Sequence, residues 1–132
     1  MMRAGLISPV AIVLATTVSG CETTQRADGP VPVYEGVETR LLDGDLVNFL
    51  VAVRGADDGE DVSAYAECAA AQYALIRGYG FARHLRTNID QEGSLWHGDA
   101  IYTISAQLPR GMQTIDAEVV VAHCAENGIP MV

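Results

Sequence analysis

Cysteine, histidine and serine lead the side chains in this sequence whose types could do covalent, acid–base or metal chemistry, with the carboxylates beside them. Three cysteines (Cys21, Cys68, Cys124) and three histidines (His84, His97, His123) are spread through 132 residues. No two histidines stand at i, i+2 or i, i+4, and no H-E-x-x-H pattern occurs. No metal site is therefore expected, since ligands on one element need such spacing to share an ion. His97 follows Trp96 and lies close to Asp99, which makes His97 and Asp99 the best pair for a polar, ligand-facing cluster. His123, just before Cys124, reads as a residue at the end of an element. Ser63, Ser94 and Ser105 lie outside any G-x-S-x-G elbow or S-x-x-K motif. The acids at 57–61 lack calcium-loop spacing, because position 12 counted from Asp57 is Cys68. Gly78-Tyr79-Gly80 follows a helical segment, whereas phosphate loops precede one. No catalytic residue and no cofactor is assigned, and the chain is not expected to be an enzyme.

Cys21 has the most specific surroundings. Met1-Met2-Arg3 forms a short positive start, an apolar run extends from Leu6 to Val18, and Val18-Ser19-Gly20-Cys21 places an aliphatic and two small residues before the thiol. The run is shorter than the roughly 20 residues that span a bilayer as a helix. The pattern resembles the signal peptide of a bacterial lipoprotein. That resemblance implies a diacylglyceryl group on the Cys21 sulfur, cleavage after Gly20 and acylation (palmitate) of the new amine. Two or three chains hold firmly where one does not, each buried methylene contributing about 0.8 kcal/mol. Glu22, rather than Asp, follows the cysteine. By the same resemblance this favours the outer membrane over the inner one, on the periplasmic side.

The 112 residues after Gly20 carry a formal charge of −10, seven arginines against seventeen acidic residues and no lysine. Such a surface repels phosphate backbones and anionic head groups, so nucleic-acid binding and electrostatic membrane docking are not expected. Membrane attachment must then come from lipid on Cys21. In an exported chain the remaining pair, Cys68 and Cys124, reads as a disulfide. No C-x-x-C is present to support redox exchange.

The elements that must position these residues follow from periodicity. Residues 1–20 are the leader, 21–44 a flexible tether rich in Pro, Gly and Thr, and 45–132 a single α+β domain. Within the tether, Pro32-Val33-Tyr34 is a stretch that could dock on the domain or serve as a short edge strand. Val47, Phe49, Val51 and Val53 alternate in a strand over 46–54. Asp61 is placed as the N-cap of a helix over about 62–77, with Tyr65, Cys68, Ala69, Gln72, Leu75, Ile76 and Tyr79 on one stripe and Gly78 and Gly80 as its stop. Strands are expected at 81–89, 95–108 (with a bulge or kink at Gly98) and 114–124, then an irregular end. The order β-α-β-β-β implies a two-layer sandwich: a four-stranded, mainly antiparallel sheet with one helix on one face. Running the strands alternately up and down brings Cys68 and Cys124 to the same end. If Cys124 faces the helix, period two turns Ile115, Val119 and Val121 to the other face. That face is then covered by the tether, disrupted by a bulge, or met by a partner, and these three residues are the candidate interaction surface.

The segment Asp61-Val62-Ser63-Ala64-Tyr65-Ala66-Glu67-Cys68-Ala69-Ala70-Ala71-Gln72-Tyr73, with Gly78-Tyr79-Gly80-Phe81 and Tyr102-Thr103-Ile104-Ser105-Ala106, resembles a group of small uncharacterised proteobacterial lipoproteins. The resemblance spans roughly 46–108 and brings neither an activity nor functional residues. The expectation is a lipid-anchored cell-envelope domain that binds an envelope protein without catalysis. The alternative is a small periplasmic hydrolase or ligand-binding enzyme using His97 and Asp99.

Overall fold

A computed structural model describes residues 31–131, together with Gly5. Apart from Gly5, the leader lies outside the described residues, as do Cys21, where lipidation is expected, Glu22 and the rest of the tether as far as residue 30. Seven elements follow in order: β1 (Val33–Leu41), β2 (Leu46–Arg54), α1 (Gly59–Ile76), β3 (Phe81–Glu92), β4 (Leu95–Ser105), β5 (Thr114–Asp116) and α2 (Ala117–Glu126). The strands form one antiparallel sheet in the order β1-β2-β4-β3-β5. β2 and β3 both pair with β4 and run parallel to each other, with α1 as the crossover, so the centre is a split β-α-β unit. The fold is α+β, as expected, with five strands and two helices in place of four and one. No described helix is long and apolar enough to cross a membrane.

The alternation in β2 sets the core. Val47, Phe49, Val51 and Val53 are almost fully buried and face α1. Phe49 meets Tyr73 and Tyr102 edge-on, with ring centroids 5.8 and 6.0 Å apart. Ala66, Ala69, Ala70, Ala71 and Ala74 line the buried side of α1 and let its backbone approach the sheet. Gly98 belongs to that approach. It is paired in register with Val51 on β2 and Ile89 on β3, so the expected bulge is absent there. A Cβ at Gly98 would stand 2.7 Å from Val62 Cγ1 and 2.9 Å from Val51 Cγ2. The glycine makes room for the helix. The bulge in this part of the sheet lies on β3 between His84 and Arg86.

α1 begins earlier than the sequence suggests. Asp58, not Asp61, is the N-cap and accepts from Glu60 N–H at 3.0 Å. Asp61 instead sits in the first turn and accepts from Asp57 N–H at 3.0 Å. The helix ends as expected at Gly78 (φ 78°): Gly78 N–H donates to Leu75 C=O and Tyr79 N–H to Ala74 C=O, the paired bonds of a Schellman stop.

Two expectations are corrected. Val33–Leu41, assigned to the tether, is the edge strand β1, nine residues long rather than a short docked segment. Tyr34 ties it to α1 by an edge-on contact with Tyr65 at 4.8 Å. The expected strand over 114–124 is only β5 at its start and then α2. Asp116 caps α2, accepting from Glu118 and Val119 N–H. Ala117, Val120, Val121 and Cys124 recur at helical spacing and turn inward. That spacing was present in the sequence, but the β-branched run Val119-Val120-Val121 also suits a strand, and only packing decides between the two.

Candidate functional site

The expected disulfide is present: Cys68 and Cys124 are bonded, with Cα atoms 6.1 Å apart. The route differs from the strand argument. Cys68 is on α1 and Cys124 on α2, both buried, so the bridge ties helix to helix within one layer.

The expected interaction surface is not a sheet face. Ile115 is on β5 opposite Ala82 and packs against the core. Val121 is on α2 and also packs inward, while Val119 is exposed on the outer side of that helix. The three residues therefore form no common apolar stripe, because the period is that of a helix beyond Asp116 and not that of a strand.

Both helices cover one face of the sheet and leave the other open. Side chains alternating with the core residues occupy it: Asn48, Leu50 and Ala52 on β2, His97 and Asp99 on β4, Asn88 and Asp90 on β3. A broad groove of about 650 Å³ runs across this face, walled by Glu35, Glu38, Asp90 and Asp99 over Leu50 and Ala52, with His97 in it. The structure thus brings His97 and Asp99 into one concavity. No hydrogen bond joins the two; the Asp99 carboxylate instead accepts from Asn48 Nδ2 at 2.6 Å. Asn48 is nearly buried and its second donation goes to Ala100 C=O at 3.1 Å, so Asp99 is held fast. His97 is exposed, opposite Ala52 and Asp90. Among the described residues, no serine, threonine, cysteine or tyrosine lines the groove. Two arginines flank it, Arg40 paired to Glu38 at 2.9 Å and Arg54 to Glu35 at 3.1 Å. These exposed pairs leave Asp90 and Asp99 as the uncompensated charge.

A second concavity of about 500 Å³ opens on the helical side, lined by Ser63 and Glu67 of α1, His84 and Thr87 of β3, Tyr102 of β4 and Gln113. His84 Nδ1 is 3.1 Å from Gln113 Oε1 and Nε2 is 2.7 Å from Thr87 Oγ1. The imidazole is tilted against the Tyr102 ring, centroids 5.1 Å apart. Burial, reinforced by the negative charge of Glu67, holds the Tyr102 phenol protonated far above its ordinary range. Sequence reasoning missed this constellation. Only Ser63 and Glu67 share a spacing, one helical turn; the rest meet through β3–β4 pairing and the return of the chain at Gln113.

Fold and site define a small, disulfide-bridged α+β domain with helices on one sheet face and an acidic groove on the other. The chain belongs to the family described as the YNQ4 C-terminal domain, which matches residues 34–128. The match opens within β1, so that strand is part of the family's domain. The chain is 32% identical over 85 residues to an uncharacterized 26.9 kDa protein in the nqo8 5′ region of Paracoccus denitrificans. The alignment covers 64% of this chain and 33% of that protein, so the chain spans about a third of its relative's length. No solved structure matches the chain.

Proposed function

We propose that the chain is a lipid-anchored cell-envelope domain, held on the periplasmic side through Cys21, that binds a partner protein through the open face of its sheet. The observation that carries this reading is the groove: the uncompensated Asp90 and Asp99, with the arginine-paired Glu35 and Glu38, stand over the half-buried Leu50 and Ala52 on the face no described helix covers. An apolar floor with a charged border suits a protein contact, the floor supplying desolvation and the border orientation. The sign of the border selects a basic segment of the partner. The Cys68–Cys124 bond accords with an oxidising compartment, and the leader with export and lipid attachment. Outer-membrane placement rests on Glu22.

The alternative, a hydrolase or ligand-binding enzyme using His97 and Asp99, has one observation in its favour: both residues line the groove. The Asn48–Asp99 bond and the lack of a hydroxyl or thiol side chain among the described lining residues weigh against it.

Two results test the proposal. Cys21→Ser moves the protein from the membrane fraction to the soluble periplasmic fraction on cell fractionation; continued sedimentation with membranes contradicts lipid attachment. Neutralising the border with Glu35→Gln, Glu38→Gln and Asp90→Asn together lowers the yield of crosslinked partner from intact envelopes about tenfold and flattens its salt dependence. An unchanged yield removes the groove from the interface. All three residues are exposed, so the variant keeps its melting temperature to within a few degrees.

A further inference from the structure

We propose that the helix-side pocket between α1, β3, β4 and Gln113 binds a small primary amine that also carries a hydroxyl group. The site is independent of the open face. Its volume of about 500 Å³ falls within the range of small-molecule sites.

Charge fixes the class of ligand. Among the described residues, Glu67 is the single carboxylate in the lining, and no arginine joins it. The ion pairs among the described residues lie elsewhere, at Arg40–Glu38 and Arg54–Glu35. Glu67 therefore presents an unneutralised negative charge to the pocket, which an ammonium complements and a phosphate or carboxylate opposes. Ser63 stands one turn before Glu67 on the same side of α1, so a hydroxyl oxygen and a carboxylate are available together to accept from an ammonium. The Tyr102 phenol, kept protonated, supplies a donor for a ligand hydroxyl.

The far wall is preorganised. Gln113 is the one described non-glycine residue with a positive φ, 64°. Its backbone carbonyl accepts from His84 N–H at 3.1 Å and its side chain meets His84 Nδ1. Thr87 occupies Nε2. A residue held in a sparsely populated backbone region to fix one imidazole is the kind of local strain found at ligand sites. With both ring nitrogens engaged, His84 is held in one orientation and forms a fixed wall of the pocket.

The test uses the full chain with its disulfide intact, labelled with ¹⁵N and titrated with ethanolamine, with ethylene glycol and glycolate as neutral and anionic counterparts. Ethanolamine shifts the amides of Ser63, Glu67, His84 and Gln113 and saturates in the millimolar range, as suits a ligand of so few atoms. Ethylene glycol binds at least about tenfold more weakly, and glycolate leaves these amides unmoved. Glu67→Gln weakens ethanolamine about tenfold, the loss of one charge-assisted contact, without changing the melting temperature. Gln113→Gly, which releases both the strain and the hold on His84, weakens it several-fold. Equal affinity for ethanolamine and ethylene glycol, an undiminished response in Glu67→Gln, or shifts confined to the Glu35–Asp90 groove would each overturn the assignment.

Discussion

Replacing Cys68 and Cys124 together by alanine lowers the unfolding free energy by about 4 kcal/mol and the melting temperature by about 20 °C. The bond closes a loop of 56 residues, and the chain-entropy cost it removes from folding grows with the logarithm of that length. The site raises the cost further. Both sulfurs are buried between α1 and α2, and removing them leaves a void in that contact. α2 feels this most, since it is ten residues long and its other inward residues are small or β-branched: Ala117, Val120 and Val121. Hydrogen exchange therefore speeds up first in α2, while the centre of the sheet keeps its protection relative to global unfolding. Urea titration of oxidised wild type against the double variant gives the number. A difference below about 1 kcal/mol contradicts the staple role.

Gly98→Val is the second large effect, expected at about 3 kcal/mol. The new Cβ falls 2.7 Å from Val62 Cγ1 and 2.9 Å from Val51 Cγ2, and both neighbours are almost fully buried, so neither can swing away. α1 must lift from the sheet or the strands must part. The mechanism is checked with the smaller pair, Gly98→Ala and Val62→Ala. Each alone destabilises, the first by overpacking and the second by a cavity. Combined, they cost at least about 1 kcal/mol less than the sum, because the methyl removed makes room for the one added. Additive costs contradict steric contact between helix and strand at this glycine. A bulge at Gly98 would instead predict little change for Gly98→Ala, since a bulge with open space on its Cβ side tolerates a methyl.

That glycine also shows how far the sequence can be read. The alternation Val47-Phe49-Val51-Val53 and the glycine stop at Gly78 were legible, because each depends on neighbours in the chain. Gly98 gave only the signal that something interrupts the pattern. Whether a bulge or an approaching helix was responsible lies in the third dimension. β1 was hidden for a related reason. It is an edge strand with only Tyr34 and Val37 turned toward the core, so its nine residues read as polar and Gly-containing. α2 was hidden by local preference: three consecutive valines favour a strand, and the inward set Ala117, Val120, Val121, Cys124 wins only through contact with α1. The disulfide survived that error because pairing followed from compartment and cysteine number rather than from the element carrying Cys124. The groove was half legible. His97 and Asp99 were singled out from their proximity, but Asn48, which holds Asp99, is 51 residues away in the chain. The pocket of Glu67, His84, Tyr102 and Gln113 had no signature at all, since four separate segments build it.

The central claim, that a partner protein meets the open sheet face and not the outer side of α2, is tested most directly by placing a photo-crosslinking residue at single positions in the full chain within intact envelopes. Leu50 and Ala52 sample the groove floor, and Val119 and Ala122 sample the outer side of α2. The account predicts one discrete protein adduct from positions 50 and 52, lost on neutralising Glu35, Glu38 and Asp90, and none from 119 or 122. The same adduct arising from 119 and 122, with 50 and 52 silent, would contradict it.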